Sequence, residues 1–344
     1  MKVLFYSTRS YDKISFREKA EKYPELEFTF VESALNEKTV EMAAGYDAVC
    51  IFVNDNANTE VVKKLAELGV KVITLRCAGF NNVDAKTAEQ LGMVVYRVPG
   101  YSPESVAEHA ATLLMSVNRR IHKAYGRVRD NNFSLTGLSG YCLHGKTLGL
   151  VGCGRIGKCF ADICCGLGMK IVAYDPALKG PVKDIYLNDE ETSDVLTPVH
   201  FVDTLDELYT VADVISLHVP LLPSTKHMIN KESIAKMKDN VILINVSRGG
   251  LIDNEALIEA NKQGKFFGIG LDVYEGEDEN VYTNHEDDIL MNCITSRLLS
   301  FPNIIITSHQ AFLTDVALDQ ISLNVCECLQ ATVEGKVVEL CMVH

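Results

Sequence analysis

Three glycines in the middle of the chain, Gly152, Gly154 and Gly157, constrain the fold more than any other feature. They follow the apolar run at 148–151 and open a stretch of helical periodicity, in the segment TLGLVGCGRIG at 147–157. In a strand-turn-helix unit of this kind the first glycine permits the tight turn. The second lets the backbone approach a pyrophosphate, and the third lets the helix pack closely on the strand. The helix start, with Arg155 and Ile156, adds unpaired amides and the positive end of the helix dipole, which suit phosphate groups. Asp175 ends the next apolar run, KIVAYD at 170–175, at the ~20-residue spacing expected of a ribose-binding acid. A carboxylate there accepts hydrogen bonds from both ribose hydroxyls and repels a 2'-phosphate, so the expected cofactor is NAD rather than NADP.

A dinucleotide motif at mid-chain leaves room for a separate domain before it. Short runs rich in Val and Ile alternate with amphipathic stretches of helical length along the whole sequence, which predicts an α/β fold with parallel sheets covered by helices. Strand candidates in the first hundred residues lie at 3–6, 28–31, 48–52, 72–75 and 94–96, with a helical stretch at 60–68 among them. From 103 to 130 apolar residues recur at helical spacing (Val106, Ala110, Leu113, Leu114, Val117, Ile121), with Ser102 placed to cap the start. This predicts one long helix. After a polar, glycine-bearing segment at 131–145, a second series of strands is expected at 148–151, 171–174, 214–217, 241–245 and 268–271. A further strand at 303–307 and a helix at 314–334 close the chain.

The 344 residues, 47% of them hydrophobic, suit two domains of ordinary size. A formal net charge of −13 at pH 7 opposes nucleic-acid binding, which depends on basic groups displacing phosphate counterions. It also means that a small anionic substrate needs a local cation. No run of eighteen apolar residues occurs, and the opening MKVLFYSTRS is too short in apolar residues for a signal peptide, so a cytoplasmic protein with no membrane span is expected. The eleven cysteines are odd in number, lack CxxC spacing and sit partly in apolar runs (Cys50, Cys77, Cys164, Cys165), which reads as reduced core thiols. Zinc chemistry finds no HExxH or three-ligand spacing; Glu108 and His109 are assigned to packing or subunit contacts, and no metal is expected.

Three segments carry candidate chemistry, each just past an expected strand. ILINVSRGG at 242–250 places Arg248 at a carboxyl end, where ligands bind in open α/β sheets and where its fork can grip a carboxylate. GLDVYEGE at 270–277 supplies carboxylates, and SHQAF at 308–312 supplies His309. A histidine paired with a carboxylate has its charged form stabilised and can give a proton to a carbonyl oxygen.

Taken together, these segments resemble the Arg, Glu and His signatures of the D-isomer-specific 2-hydroxyacid dehydrogenase family, with Arg248, Glu277 and His309 on its catalytic positions. The resemblance spans nearly the whole chain. It is densest to the family's bacterial fermentative D-lactate branch, through IFVND at 51–55, LRCAGFNNVD at 75–84, NRRIH at 118–122, NFSL at 132–135 and HQAFL at 309–313. Asp278, where phosphoglycerate-type members usually carry Pro, fits that branch.

The resemblance implies two Rossmann-like, doubly wound parallel-sheet domains, one flavodoxin-like and one dinucleotide-binding, with an interdomain cleft. Residues 1–100 and 299–344 would form the substrate domain and 101–298 the NAD domain, with hinges near Gly100 and Leu298. It implies reduction of a small 2-keto acid, pyruvate, to D-lactate. Larger D-2-hydroxy acids, or a dinucleotide-sensing interaction protein on the same fold, are the rival readings. Ala78, Gly79, Tyr101 and Phe312 would join Arg248 and His309 at the substrate. His218, Val219, Pro220, Val246, Ser247, Arg248, Asp272 and His309 would join the glycine loop and Asp175 at the cofactor. Asp272 is open between supporting Arg248, supporting the nicotinamide amide, and serving as a strand-end turn residue. The apolar face of the long helix predicts a homo-oligomer, dimer or tetramer.

Overall fold

The computed structural model describes residues 1–178, 184–187, 197–291 and 293–343. The chain separates into two compact units, Met1–Ser102 with Phe312–His344, and Pro103–Ala311.

The first unit runs β1 (Lys2–Phe5), α1 (Ser10–Ala20), β2 (Glu27–Phe30), β3 (Ala48–Ile51), α2 (Thr59–Glu67), β4 (Val72–Leu75), α3 (Ala85–Gln90) and β5 (Val94–Tyr96). Its strands pair in parallel in the order β2-β1-β3-β4-β5, the flavodoxin-like winding. The inner strands β3 (AVCI) and β4 (VITL) are buried along their whole length, as strands covered on both faces must be. Asn58 starts α2 by accepting from the amides of Glu60 and Val61 at 3.1 and 3.0 Å, and the helix then buries Val61, Val62 and Leu65.

The second unit opens with α4 (Pro103–Arg119) and α5 (Ile121–Arg129). It continues through β6 (Thr147–Val151), α6 (Arg155–Gly166), β7 (Lys170–Tyr174), β8 (Asp184–Leu187), β9 (Thr197–Phe201), α7 (Leu205–Val211) and β10 (Val214–Leu217). Then come α8 (Lys231–Lys236), β11 (Val241–Asn245), α9 (Asn254–Lys262), β12 (Phe266–Leu271), α10 (Cys293–Ser300) and β13 (Ile304–Ile306), before α11 (Asp315–Val333) returns to the first unit. The sheet order is β13-β12-β11-β10-β6-β7-β9-β8. With β8 as an antiparallel edge strand and β13 added at the other edge, this is the 3-2-1-4-5-6 Rossmann order, whose topological switch point falls between β6 and β10.

Three expectations change. The long helix breaks at Arg120, which takes a left-handed φ of 50°; Val106, Ala110, Leu113, Leu114 and Val117 are buried as expected, but Ile121 turns outward and is 57% exposed. The strand expected to close the substrate domain instead pairs with β12 (Ile269↔Ile304, Leu271↔Ile306), so residues 299–311 lie in the second unit. The unpaired edge of β12 supplies the backbone partners that decide it. Leu298, expected at a hinge, is fully buried in the second unit's core, and the chain passes between units at 102/103 and 311/312.

All eleven cysteines are free; Cys142 and Cys293 are exposed rather than in the core. Among the described residues no helix is long and apolar enough to cross a membrane. Nor, among those residues, does any group of three His, Cys, Asp or Glu side chains stand ready to hold a metal ion.

Candidate active site

The dinucleotide loop lies at the switch point of the second sheet. Gly152 has φ +93°, and a Cβ there would come within 2.7 Å of the His218 carbonyl oxygen, so only glycine fits. Gly154 is different: a Cβ on it would meet nothing within 4 Å, which leaves open space beside the start of α6. No side chain caps α6 at Gly154, so its first amides are free for an anion. Asp175 accepts from the Cys153 amide at 2.8 Å and from the Ala177 amide at 2.9 Å, which anchors it at the end of β7 beside the loop. Open space, uncapped amides and a carboxylate one strand away fit a dinucleotide with free ribose hydroxyls.

His218, just past β10, packs its ring 5.3 Å from that of Phe160 and shares a 2.8 Å hydrogen bond between Nε2 and Ser216 Oγ. Part of the residue stays at the surface, but Nδ1 is enclosed without a hydrogen-bond partner, and burial lowers the pKa below the usual imidazole value. Its neighbour Val219 accepts from Ser247 Oγ at 2.6 Å through its carbonyl, which ties the 218–220 turn to the Arg248 loop; Val246 is buried, and Pro220 is exposed.

Asp272, Glu277 and His309 meet, with the loop that bears Arg248 lying alongside, because β11, β12 and β13 are adjacent and parallel. Asn245, Leu271 and Ile306 stand side by side at the carboxyl ends, ~4.8 Å apart from strand to strand, and the three chains leave the sheet together. The Arg248 loop is held by the Asn245 side chain, which accepts from the Ser247 amide at 3.0 Å and donates to the Arg248 carbonyl at 2.9 Å. Gly249 lets the loop lie directly on the Tyr274–Glu275 backbone, where any Cβ would collide. The Arg248 guanidinium donates to the Ser247 carbonyl at 2.7 Å.

His309 Nδ1 lies 2.9 Å from Glu277 Oε1, with the two side chains 21% and 13% exposed. Glu277 Oε2 accepts from the Tyr274 amide at 3.1 Å, and Tyr282 donates to the His309 carbonyl at 2.8 Å. The acidic stretch from Glu275 is thus partly engaged, with Val281 buried.

Asp272 braces the whole turn. Its carboxylate, fully buried, accepts from the amides of Gln310 and Ala311, both at 2.9 Å, and from Thr307 Oγ1 at 2.5 Å, while its carbonyl accepts from the His309 amide at 2.9 Å. Burial pushes its pKa up, but hydrogen bonds from His109, Thr307 and Gln310 outweigh that and hold it below the usual carboxylate value. Of the three roles left open for Asp272, its contacts are those of a turn brace. His109 Nε2, 3.2 Å from Asp272 Oδ1, belongs to this cluster and not merely to helix packing. Helical spacing shows that His109 faces inward but not which partners it meets: it sits three residues from Val106 and four from Leu113, on the buried face of α4.

The remaining expected residues are on the first unit. Ala78 and Gly79 follow β4, and their carbonyls accept from Arg97 Nη1 and Cys77 Sγ, each at 3.2 Å. The Phe312 ring is bracketed by Tyr101 at 6.3 Å, Tyr11 at 6.5 Å and Phe52 at 5.6 Å between centroids. Tyr11 and Phe52 were not singled out from sequence.

A Rossmann unit whose sheet edge carries an Arg, a Glu–His pair and a dinucleotide loop has the equipment of a nicotinamide-dependent dehydrogenase. A profile described as "D-isomer specific 2-hydroxyacid dehydrogenase, NAD binding domain" matches residues 111–311. The chain belongs to that family, and its cofactor is NAD. It is 46% identical over 339 residues to a 2-hydroxyacid dehydrogenase homolog of Haemophilus influenzae, covering 98% of both chains. It is 43% identical to the D-lactate dehydrogenase of Escherichia coli, again covering 98% of each. Among solved structures, that of the pyruvate reductase of Chlamydomonas reinhardtii superposes with a TM-score of 0.89 at 41% identity, covering 98% of both chains.

Proposed function

We propose that this protein reduces pyruvate to D-lactate with NADH, with Arg248, Glu277 and His309 as the catalytic residues. The observation that carries the mechanism is the 2.9 Å pairing of His309 Nδ1 with Glu277 Oε1 on the sheet edge that also bears Arg248. The relatives named D-lactate dehydrogenase and pyruvate reductase support the substrate. The residues that would hold the cofactor are Gly152 to Gly157, with Arg155 and Ile156 at the helix start, Asp175 at the ribose, and the 218–220 and 246–248 turns. When bound, NADH supplies a hydride to the substrate carbonyl carbon.

The chain's own residues do the rest. Arg248 grips the substrate carboxylate through its fork, which a lysine cannot reproduce. With Nδ1 engaged by Glu277, His309 presents Nε2 to the substrate oxygen; protonated, it gives up that proton as the alkoxide forms, and Glu277 holds the ring in place and stabilises the imidazolium. In the oxidative direction the neutral ring accepts the hydroxyl proton. Ala78, Gly79, Tyr101 and Phe312 are assigned to the substrate, Phe312 to side-chain size. A methylene in an apolar pocket changes preference by only about 1–3 kcal/mol, so a panel of side chains is the sharper probe.

We assign a homo-oligomer as well. The helix α5 buries none of its residues, and Ile121, Tyr125 and Val128 are 57%, 65% and 50% exposed, beside Phe133 and Leu135 at 71% and 82%. Light scattering on the parent and on Tyr125→Glu tests this, with a monomeric parent refuting it. The free, mostly buried thiols fit a reducing compartment such as the cytoplasm.

The deciding experiment follows NADH absorbance with pyruvate, 2-ketoisocaproate and 2-ketoglutarate, and determines product chirality. Fast turnover of pyruvate to D-lactate is expected. Preference for a larger acid would move the substrate, and tight NADH binding without turnover would favour a sensor.

A further inference from the structure

The turn that presents His309 is built on a backbone conformation that resists it. His309 has φ 50°, in the left-handed region, which a residue other than glycine holds only where its surroundings impose it. The surroundings here are Asp272, which accepts the amides of three successive residues: His309 through its carbonyl, then Gln310 and Ala311 through its carboxylate. Asp272 is in turn fastened from α4. His109 Nε2 lies 3.0 Å from Thr307 Oγ1 and 3.2 Å from Asp272 Oδ1, and Thr307 gives its single hydroxyl proton to that same Oδ1 at 2.5 Å. With the threonine proton spent on Asp272, the imidazole must be the donor to both oxygens, which requires a proton on Nε2. His109 thus spans from a 17-residue helix to the one carboxylate that organises the His309 turn, from a position where its side chain is 15% exposed and that of Asp272 only 1%.

Resting on the dehydrogenase reading, we propose that His109 is a positioning residue for His309: its Nε2–H locks Thr307 and Asp272 in one rotamer each, and so sets where the proton-donating ring stands. Such a residue touches neither substrate nor cofactor. Its removal lets the turn relax rather than deleting a catalytic group, so kcat suffers while substrate binding through Arg248 does not. Thr307 shares the role, because without its hydroxyl the same carboxylate oxygen loses a partner.

The test compares the parent with His109→Ala and His109→Gln. Pyruvate reduction gives kcat and KM. The His309 ring-proton NMR signal, assigned by its disappearance in His309→Gln, gives a readout independent of turnover. His109→Ala should lower kcat about 10-fold, less than the ~100-fold that a full 1 Å misplacement can produce, with KM changed less than about 2-fold and the His309 signal shifted or broadened. His109→Gln keeps a donor on a side chain of similar reach and should restore most of kcat and a sharp His309 signal. Parent-like kcat and an unmoved His309 signal in His109→Ala would overturn the proposal, as would a loss confined to KM. If His109→Ala fails to fold, Thr307→Val removes the shared hydroxyl at nearly constant volume and is read in the same way. Should the parent reduce no 2-keto acid, the functional reading fails, yet the His309 signal still decides whether His109 positions that ring.

Discussion

Two buried carboxylates, Asp55 in the first unit and Asp272 in the second, perform the same structural task with opposite electrostatic outcomes. Asp55 accepts from Ser7 Oγ and the Leu35 amide at 2.7 Å each and from the Phe52 amide at 2.6 Å, and so braces the turn after β3. Asp272 braces the turn after β13 in the same manner. They are 2% and 0% exposed, yet burial wins at Asp55, whose pKa is raised, whereas hydrogen bonding wins at Asp272, whose pKa is lowered. The difference lies in the donors that reach each carboxylate. Arg76 spends its Nε on Asp12 at 3.2 Å and an Nη on the Ser7 carbonyl at 2.8 Å, and acts on Asp55 through its charge. His109 bonds Asp272 directly. With Thr307, His109 and two backbone amides all donating to it, the carboxylate that holds the His309 turn keeps a pKa below the usual value.

The largest effect that could break this contrast is on chemistry. His309→Gln removes the proton donor and should reduce kcat about 10²–10⁴-fold with NADH affinity retained, measured by turnover and by fluorescence titration. A loss below ~10-fold would show that the turn braced by Asp272 is not where the proton comes from. Next in size is Arg248→Lys, expected to lower kcat/KM about 10–100-fold, the equivalent of one charge-assisted hydrogen bond of ~1.5–3 kcal/mol. Near-parental kinetics would leave the carboxylate grip unassigned.

Stability sharpens the comparison further. Asp55→Asn and Asp272→Asn should each lose about 1–3 kcal/mol in urea unfolding, since both leave a buried amide without its acceptor. Their pH dependences should run in opposite directions. The raised pKa of Asp55 means that its stabilising share is present below the ordinary carboxylate value of ~3.9 and is lost as pH rises through the folded-state value. Asp272, with a lowered pKa, contributes above ~3.9 and loses that contribution as pH falls through its own folded-state value. The gap between parent and variant should therefore narrow with rising pH for Asp55 and with falling pH for Asp272; slopes of one sign would abolish the contrast. The smallest effect concerns His218, whose depressed pKa makes it stabilising above ~6.5 and a liability below, so His218→Asn should flatten the loss of stability as pH drops under that value.

Much of the site was legible because its residues follow strand ends in short segments. The 147–157 glycine loop, Asp175, Arg248 and His309 each stand next to an apolar run whose period identifies a parallel strand. His109 was placed with helix packing, since its partners Thr307 and Asp272 are 198 and 163 positions away in sequence and no local pattern relates them. Tyr11 and Phe52, which flank Phe312, escaped for the same reason. The break of the long helix at Arg120 was equally hidden, because a single left-handed residue leaves the apolar spacing before it intact.

The sequence by itself determined the two α/β series and the NAD-type loop, because strand periodicity and turn chemistry are local, while the choice of Arg248, Glu277 and His309 rests on the family resemblance of their segments. Only the tertiary structure decided that β13 completes the second sheet instead of the first unit, and that Asp272 is a brace secured by His109. Sheet-edge pairing and the ionisation of a buried carboxylate depend on which distant groups come within hydrogen-bond reach, and that is set by packing rather than by neighbours in the chain.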